Sequence, residues 1–91
     1  NKKDIKVKIL NSTGVNRLAS NYRDKLRDKG YDVIGIGNYD KKLNKTVIKV
    51  YNRDDYGTIL KGDLKFGKIE NEKDKNSSVD IVVILGSDSI K

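Results

Sequence analysis

Apolar and polar residues alternate at the start of the chain: Ile5, Val7 and Ile9 are separated by Lys6 and Lys8. A period of two predicts a strand with one buried face. The strand runs into a polar turn, Asn11, Ser12, Thr13 and Gly14, and the period then changes. Val15, Leu18, Ala19, Tyr22 and Leu26 follow the i, i+3, i+4, i+7, i+11 pattern, which is one apolar stripe of a helix over residues 15–29. Arg23, Asp24, Lys25, Arg27, Asp28 and Lys29 make its polar side. Ser12 or Thr13 is expected to cap the helix start. Gly30 is expected to end it, with Lys29 beside the negative helix end. Residues 31–36 (YDVIGI) predict a second strand, in which Gly35 marks a bulge or a close backbone approach. Residues 5–37 thus spell one β-α-β unit.

The rest of the chain repeats the rhythm more loosely. Residues 37–44 read as a polar loop and 46–51 (TVIKVY) as a strand of strong β-formers. Residues 52–65 predict a short helix, with Asp54 and Asp55 at its positive end and Tyr56, Ile59, Leu60 and Leu64 on its buried side. Gly57 and Gly62 weaken it by about 1 kcal/mol each relative to Ala. Residues 66–69 suggest a short edge strand and 70–78 a polar loop. The final strand, within 79–85, holds the unbroken apolar run 81–85, the signature of a central strand covered on both faces. The fold class expected is α/β: a small two- or three-layer β-α-β-β-α-β(-β) domain with a mixed sheet of four to five strands and two helices. Residues 1–4 read as a tail or linker, and 5–91 as a single domain.

Composition narrows the chemistry. Ninety-one residues make one domain at most. No run of 18 apolar residues is present, so no membrane span is expected in this stretch. No signal-peptide pattern is read either, and the absence of Met points to a longer parent chain. There is no Cys and no His, which removes thiolate chemistry, imidazole acid-base catalysis and the usual zinc sites. No cofactor and no metal are expected. The net charge is +7. Attraction to a polyanion is one reading of it: nucleic acid, an acidic membrane leaflet or an anionic wall polymer. Drift in an AT-rich coding sequence is the other, since Lys, Asn, Ile and Asp are abundant, Pro is absent and only four of the twenty cations are Arg.

Three groups of residues are candidates for function. The turn Asn11, Ser12, Thr13, Gly14 lies between a strand and a helix start, where backbone N–H groups favour an anion. It lacks the glycine spacing of a Walker loop or a dinucleotide fingerprint, and a plain capped helix start explains it as well. The turn Gly86, Ser87, Asp88 follows the last strand. If that strand is parallel to the first, the two turns share a sheet edge, where ligands of open α/β sheets bind; if antiparallel, they lie apart. Asp88 alone also reads as a turn or terminal cap. Lys41, Lys42, Lys45, Lys49 and Arg53 form a basic run with no acid after Asp40. With Tyr39 and Tyr51 nearby it suggests a ridge for single strands or sugars, against a solvated face with Lys guarding an edge. Catalysis is poorly supported: Ser12 and Ser87 have no His to activate them, and no pair of acids is spaced to work on one bond.

In order, the segments IKVKILNSTGVNRLA, KGYDVIGIGN, TVIKVY and VDIVVILGSD resemble the C-terminal domain of LytR-type cell-envelope proteins (LytR/CpsA/Psr). That family shows a strand ending in an Asn-Gly/Ser-Thr turn before a helix. A Gly then precedes an aromatic residue and the second strand, and the chain closes on an apolar strand with Leu-Gly-x-Asp. Arg17 stands where the family commonly has Gly, and the second helix here is lysine-rich and broken by glycine. The resemblance implies a non-catalytic, extracytoplasmic module of a bacterial protein tethered by an upstream membrane anchor. In many relatives it follows a domain that transfers anionic glycopolymers onto peptidoglycan. Peptidoglycan, an anionic wall polymer or an envelope protein is the partner implied. The alternative is a basic nucleic-acid-binding domain using the Lys41–Arg53 ridge, although no RNA-binding signature is visible. A small enzyme is a third reading, which the missing His and Cys disfavour.

Overall fold

In the structure, a computed structural model, residues 1–90 are described; Lys91, the last residue of the expected domain, lies outside them. Five strands and two α-helices follow one another in the order β1 (Lys6–Asn11), α1 (Leu18–Asp28), β2 (Asp32–Asn38), β3 (Val47–Val50), α2 (Asp54–Leu64), β4 (Lys68–Asn71) and β5 (Ile81–Leu85), with 3₁₀ turns at Lys2–Asp4 and Ser87–Ser89. One mixed sheet has the order β2-β1-β5-β3-β4. β1 is parallel to both β2 and β5, β3 is antiparallel to β5, and β4 is parallel to β3. This is the expected α/β fold with its mixed sheet.

Alternation along the strands decides which face the helices cover. Val7 and Ile9 of β1, Val33 of β2, Ile48 and Val50 of β3, and Ile81, Val83 and Leu85 of β5 are buried together with Leu18, Ala19, Tyr22 and Leu26 of α1 and Leu60 and Leu64 of α2. Both helices therefore pack on one face and the domain has two layers. The expectation that β5 is covered on both faces needs correction. β5 is central, but no helix lies over its other side, where Val82 is half-buried. Ile84 on that side is nonetheless 2% exposed, sheltered in register between Leu10 and Val47.

Two details of the first unit depart from the sequence pattern. α1 begins at Leu18 and not at Val15, which is 41% exposed. Its N-cap is Arg17, in the left-handed conformation (φ 67°, ψ 7°) with no side-chain cap. Neither Ser12 nor Thr13 caps the helix. β1 continues as far as Asn11, and residues 12–17 are spent in the turn that brings the chain back over the sheet. At the other end Lys29 is the C-cap and Gly30 follows at φ 103°. The bulge expected at Gly35 is present: the register of β1 with β2 slips between Val33 and Gly35, leaving Ile34 without a partner.

Gly57 has a positive role in α2. A Cβ there would lie 2.5 Å from Cγ2 of Val50, so the glycine lets the helix settle onto β3. At the N-terminus Lys2 makes an ion pair with Asp63 of α2 at 2.8 Å, and Ile5 is fully buried.

Candidate functional site

Because β1 and β5 run parallel, the Asn11–Gly14 and Gly86–Asp88 turns leave the sheet at the same edge. The backbone N–H and the hydroxyl of Ser12 both donate to the Leu85 carbonyl, at 3.1 and 2.6 Å. The chain between β2 and β3 crosses this edge on its way to the antiparallel strand. It is stitched to both turns. The Tyr39 amide donates to the Asn11 carbonyl (2.9 Å) and the Leu43 amide to the Ser12 hydroxyl (3.2 Å). The Leu43 carbonyl accepts from the Ser87 amide (2.9 Å), and the Asn44 carbonyl from the Asp88 amide (3.2 Å). A Cβ on Gly86 would lie 2.6 Å from the Lys45 carbonyl carbon, so only glycine lets the crossing chain come this close.

Most polar groups of the two turns are consumed by this stitching. Asn11 Oδ1 accepts from the Thr13 amide and hydroxyl at 2.8 and 2.7 Å, and its Nδ2 donates to the Val15 carbonyl at 2.8 Å. Asp88 Oδ1 accepts from the amide and hydroxyl of Thr46, at 2.9 and 2.6 Å, and the Thr46 hydroxyl accepts from the Gly86 amide at 3.0 Å. The Ser12 hydroxyl, engaged with backbone on both sides, has no base beside it. The structure therefore brings the two turns together but not as one open polar patch. Asn11, Ser12 and Gly14 line a groove; Thr13 bonds within its own turn, to Asn11 and Val15, and Gly86, Ser87 and Asp88 serve the loop crossing.

That groove, about 440 Å³, lies between the β1–α1 turn, the first turn of α1, the end of β2 and the crossing loop. Sequence reasoning had placed Asn11, Ser12, Gly14, Lys41 and Lys42 among the candidates. Tyr39, read as a neighbour of the basic run, joins them; Asn16, Arg17 and Asn38, which were not among the candidates, complete the walls, with Val15 and Ile36 as apolar patches and Asp40 as the one acid. The departure at Arg17 was the available signal. The groove thus offers amides, one phenol and three cations, beside the uncapped positive end of α1. That set can hold an anion or a polar, hydroxyl-rich ligand.

The basic run does not form one ridge. Lys41 and Lys42 are exposed at the groove. Lys45 belongs to a separate hollow with Lys61 and Lys68. Lys49 lies in register with Val82 and Glu70 on the sheet face opposite the helices. Arg53 precedes α2 and is paired with Asp55 at 3.0 Å; the hydrogen bonds of that exposed pair raise the guanidinium and lower the carboxyl from their ordinary values.

The other shifted groups sit between the helices. Tyr31 donates its hydroxyl to Asp63 at 2.5 Å. Burial first, and then Asp63, push the Tyr31 phenol up. Lys2, and then the Tyr31 hydroxyl, hold the Asp63 carboxyl down. Burial also raises Tyr22, whose hydroxyl donates to the Ser89 carbonyl at 2.7 Å. Among the described residues no cluster of acids is placed to hold a metal ion, and no helix is long and apolar enough to cross a membrane.

Comparisons agree with this architecture. No curated protein matches the sequence. Among solved structures, the solution structure of the C-terminal domain of RV0431 is similar, with a TM-score of 0.60 at 16% identity over 90% of this chain and 71% of that one. At that identity the likeness shows the fold. The model of the family described as LytR cell envelope-related transcriptional attenuator matches residues 4–88. That is nearly every described residue, from the start of the buried N-terminal segment to the Asp88 that closes the sheet edge, and the chain belongs to this cell-envelope family.

Proposed function

We propose that the chain is a non-catalytic, extracytoplasmic module that holds its parent protein at the cell wall by binding peptidoglycan or an anionic wall polymer in the groove at the sheet edge. The observation that carries this reading is the placement of Arg17, Lys41 and Lys42 around Asn16, Asn38 and Tyr39 in one groove. Amide side chains suit sugar hydroxyls and acetamido groups. The three cations suit a carboxylate or phosphate on the same polymer. Membership of a cell-envelope family supports a ligand of this kind. A membrane anchor upstream in the parent chain fits the same picture.

The strained cap supports the assignment. A non-glycine residue in the left-handed region costs about 1–2 kcal/mol, and Arg17 occupies that region at the rim of the groove. Backbone strain at the rim of a groove is a pointer to function. Nucleic acid is the weaker alternative, because the Lys41–Arg53 cations are divided among separate surfaces.

Co-sedimentation with cell-wall sacculi tests the proposal, using native sacculi and sacculi stripped of anionic polymer, at low and physiological salt. Retention on stripped sacculi at physiological salt identifies glycan or stem peptide as the ligand. Retention on native sacculi alone, lost with salt, identifies the anionic polymer. No retention on either overturns the reading.

A further inference from the structure

The two edges of the sheet are built differently. β4 has four residues and carries Lys68 and Glu70, followed by Glu72 and Lys73; short, charged edges resist further pairing. β2 has seven residues, and from Val33 to Asn38 it contains no charge and no proline. Its two isoleucines stay largely in water, Ile34 at 50% and Ile36 at 39% exposed. Ile36 pairs with Ile9 on the helix side, while the bulge leaves Ile34 next to buried Val33 and so on the opposite face.

The hydrogen-bonding groups of this edge can be assigned. The amides of Asp32 and Tyr39 donate inward, to Ile5 and Asn11 of the neighbouring segment. Alternation, with the one-residue slip at the bulge, turns Val33, Ile36 and Asn38 outward. The outward carbonyl of Val33 is already occupied by the guanidinium of Arg27, at 2.8 Å. The outward groups of Ile36 and Asn38 have no such cover among the described residues. One half of the edge is closed by a side chain and the other half is open.

We infer that the open half of β2, from Ile34 to Asn38, is a docking edge for an extended acidic segment of a second envelope protein, which adds to the sheet as a sixth strand. Main-chain pairing to Ile36 and Asn38 supplies register; alternate apolar side chains cover Ile34 on the open sheet face, and the acidic side chains between them face the helix side, where Arg27 of α1 stands. Charge complementarity selects an acidic segment: Arg27 stands at one end of the open stretch, and Arg17, Lys41 and Lys42 stand around the groove at the other, against Asp32 and Asp40. A second copy of this chain, at net charge +7, meets repulsion on the same edge.

The experiment uses the 91-residue chain, isotope-labelled, and two end-capped nine-residue peptides, one alternating Glu with Val and one alternating Lys with Val. The expected result is saturable binding of the Glu peptide with slowed amide exchange at Ile36 and Asn38, and at least tenfold weaker binding of the Lys peptide. Ile34→Glu, at a half-exposed position, removes the apolar contact and sets like charge against the Glu peptide, and should weaken it at least tenfold. Glu70→Lys on the opposite edge should not weaken it. Three results would overturn the inference: equal binding of both peptides, Glu-peptide shifts confined to exposed lysines with no protection on β2, or β2-mediated self-association without peptide binding. Because sacculi binding is read separately, its failure and the failure of the edge to take a peptide are distinguishable.

Discussion

Asp88 and Thr46, forty-two residues apart, are joined twice through one carboxylate oxygen, which accepts the Thr46 amide and the Thr46 hydroxyl. Thr46 is fully buried, and its hydroxyl in turn holds the Gly86 amide. Asp88→Ala leaves two buried donors unpaired. The expected cost is about 2–3 kcal/mol in urea denaturation, whereas Asp88→Asn, which keeps an acceptor oxygen, should lose less than half of that. Retention on sacculi well below the melting temperature should be unchanged in both, since Asp88 faces the crossing loop and not the groove.

Arg17 offers the opposite trade. Arg17→Gly relieves the left-handed backbone and should raise stability by about 1 kcal/mol. The same change removes a guanidinium from the groove. Retention on sacculi should fall several-fold, and paired denaturation and co-sedimentation measurements check both signs. A gain of stability with no loss of retention removes Arg17 from the binding surface.

The two glycines of α2 should respond in opposite directions. Gly57→Ala drives a methyl into Val50 and should cost about 1–3 kcal/mol by overpacking. Nothing lies within 4 Å of a Cβ at Gly62, so Gly62→Ala should add up to about 1 kcal/mol. Urea midpoints of the two variants, with unchanged slopes, make the comparison direct.

The contact of Lys2, Tyr31 and Asp63 predicts a plateau in stability against pH. Asp63 is held below the ordinary carboxylate value by Lys2 and Tyr31, so its contribution is complete above about pH 4 and is lost as the pH falls through its lowered value. Tyr31 is raised above its ordinary 10.0 by burial and by Asp63. Its contribution is complete below that value and declines as the pH climbs beyond it. Asp63→Asn should flatten the acid limb and cost about 1 kcal/mol at pH 7. Thermal unfolding of both proteins from pH 2 to 11 measures it.

Local periodicity carried most of the fold into view. The alternation of Ile5, Val7 and Ile9, the stripe from Leu18 to Leu26, the stop at Gly30 and the apolar run of β5 each appear where their pattern put them, because each is set by which face is buried. Strand direction was less legible. Alternation says which side chains point inward but not which strand lies alongside, so the parallel pairing of β1 with β5 and the reversal at β3 came only with the structure. The crossing loop was invisible for a further reason. Its anchors at Leu43 and Asn44 are backbone carbonyls, which every residue possesses. Hence the two turns were found as candidates, while their hydrogen bonding to the crossing chain was not. The basic run dispersed for a similar reason: neighbours in sequence that pass from loop to strand to helix point away from one another.

The pairing of β1 with β5 also sets the order in which this domain assembles. The strand begun at Lys6 must wait for the strand begun at Ile81, and β3 reaches the rest of the sheet only through that same last strand. A ribosome that has released only the first eighty residues has supplied the pairs β2-β1 and β3-β4 without the strand that joins them. Contacts of such long sequence separation slow folding. The sheet therefore cannot be completed until β5 is available.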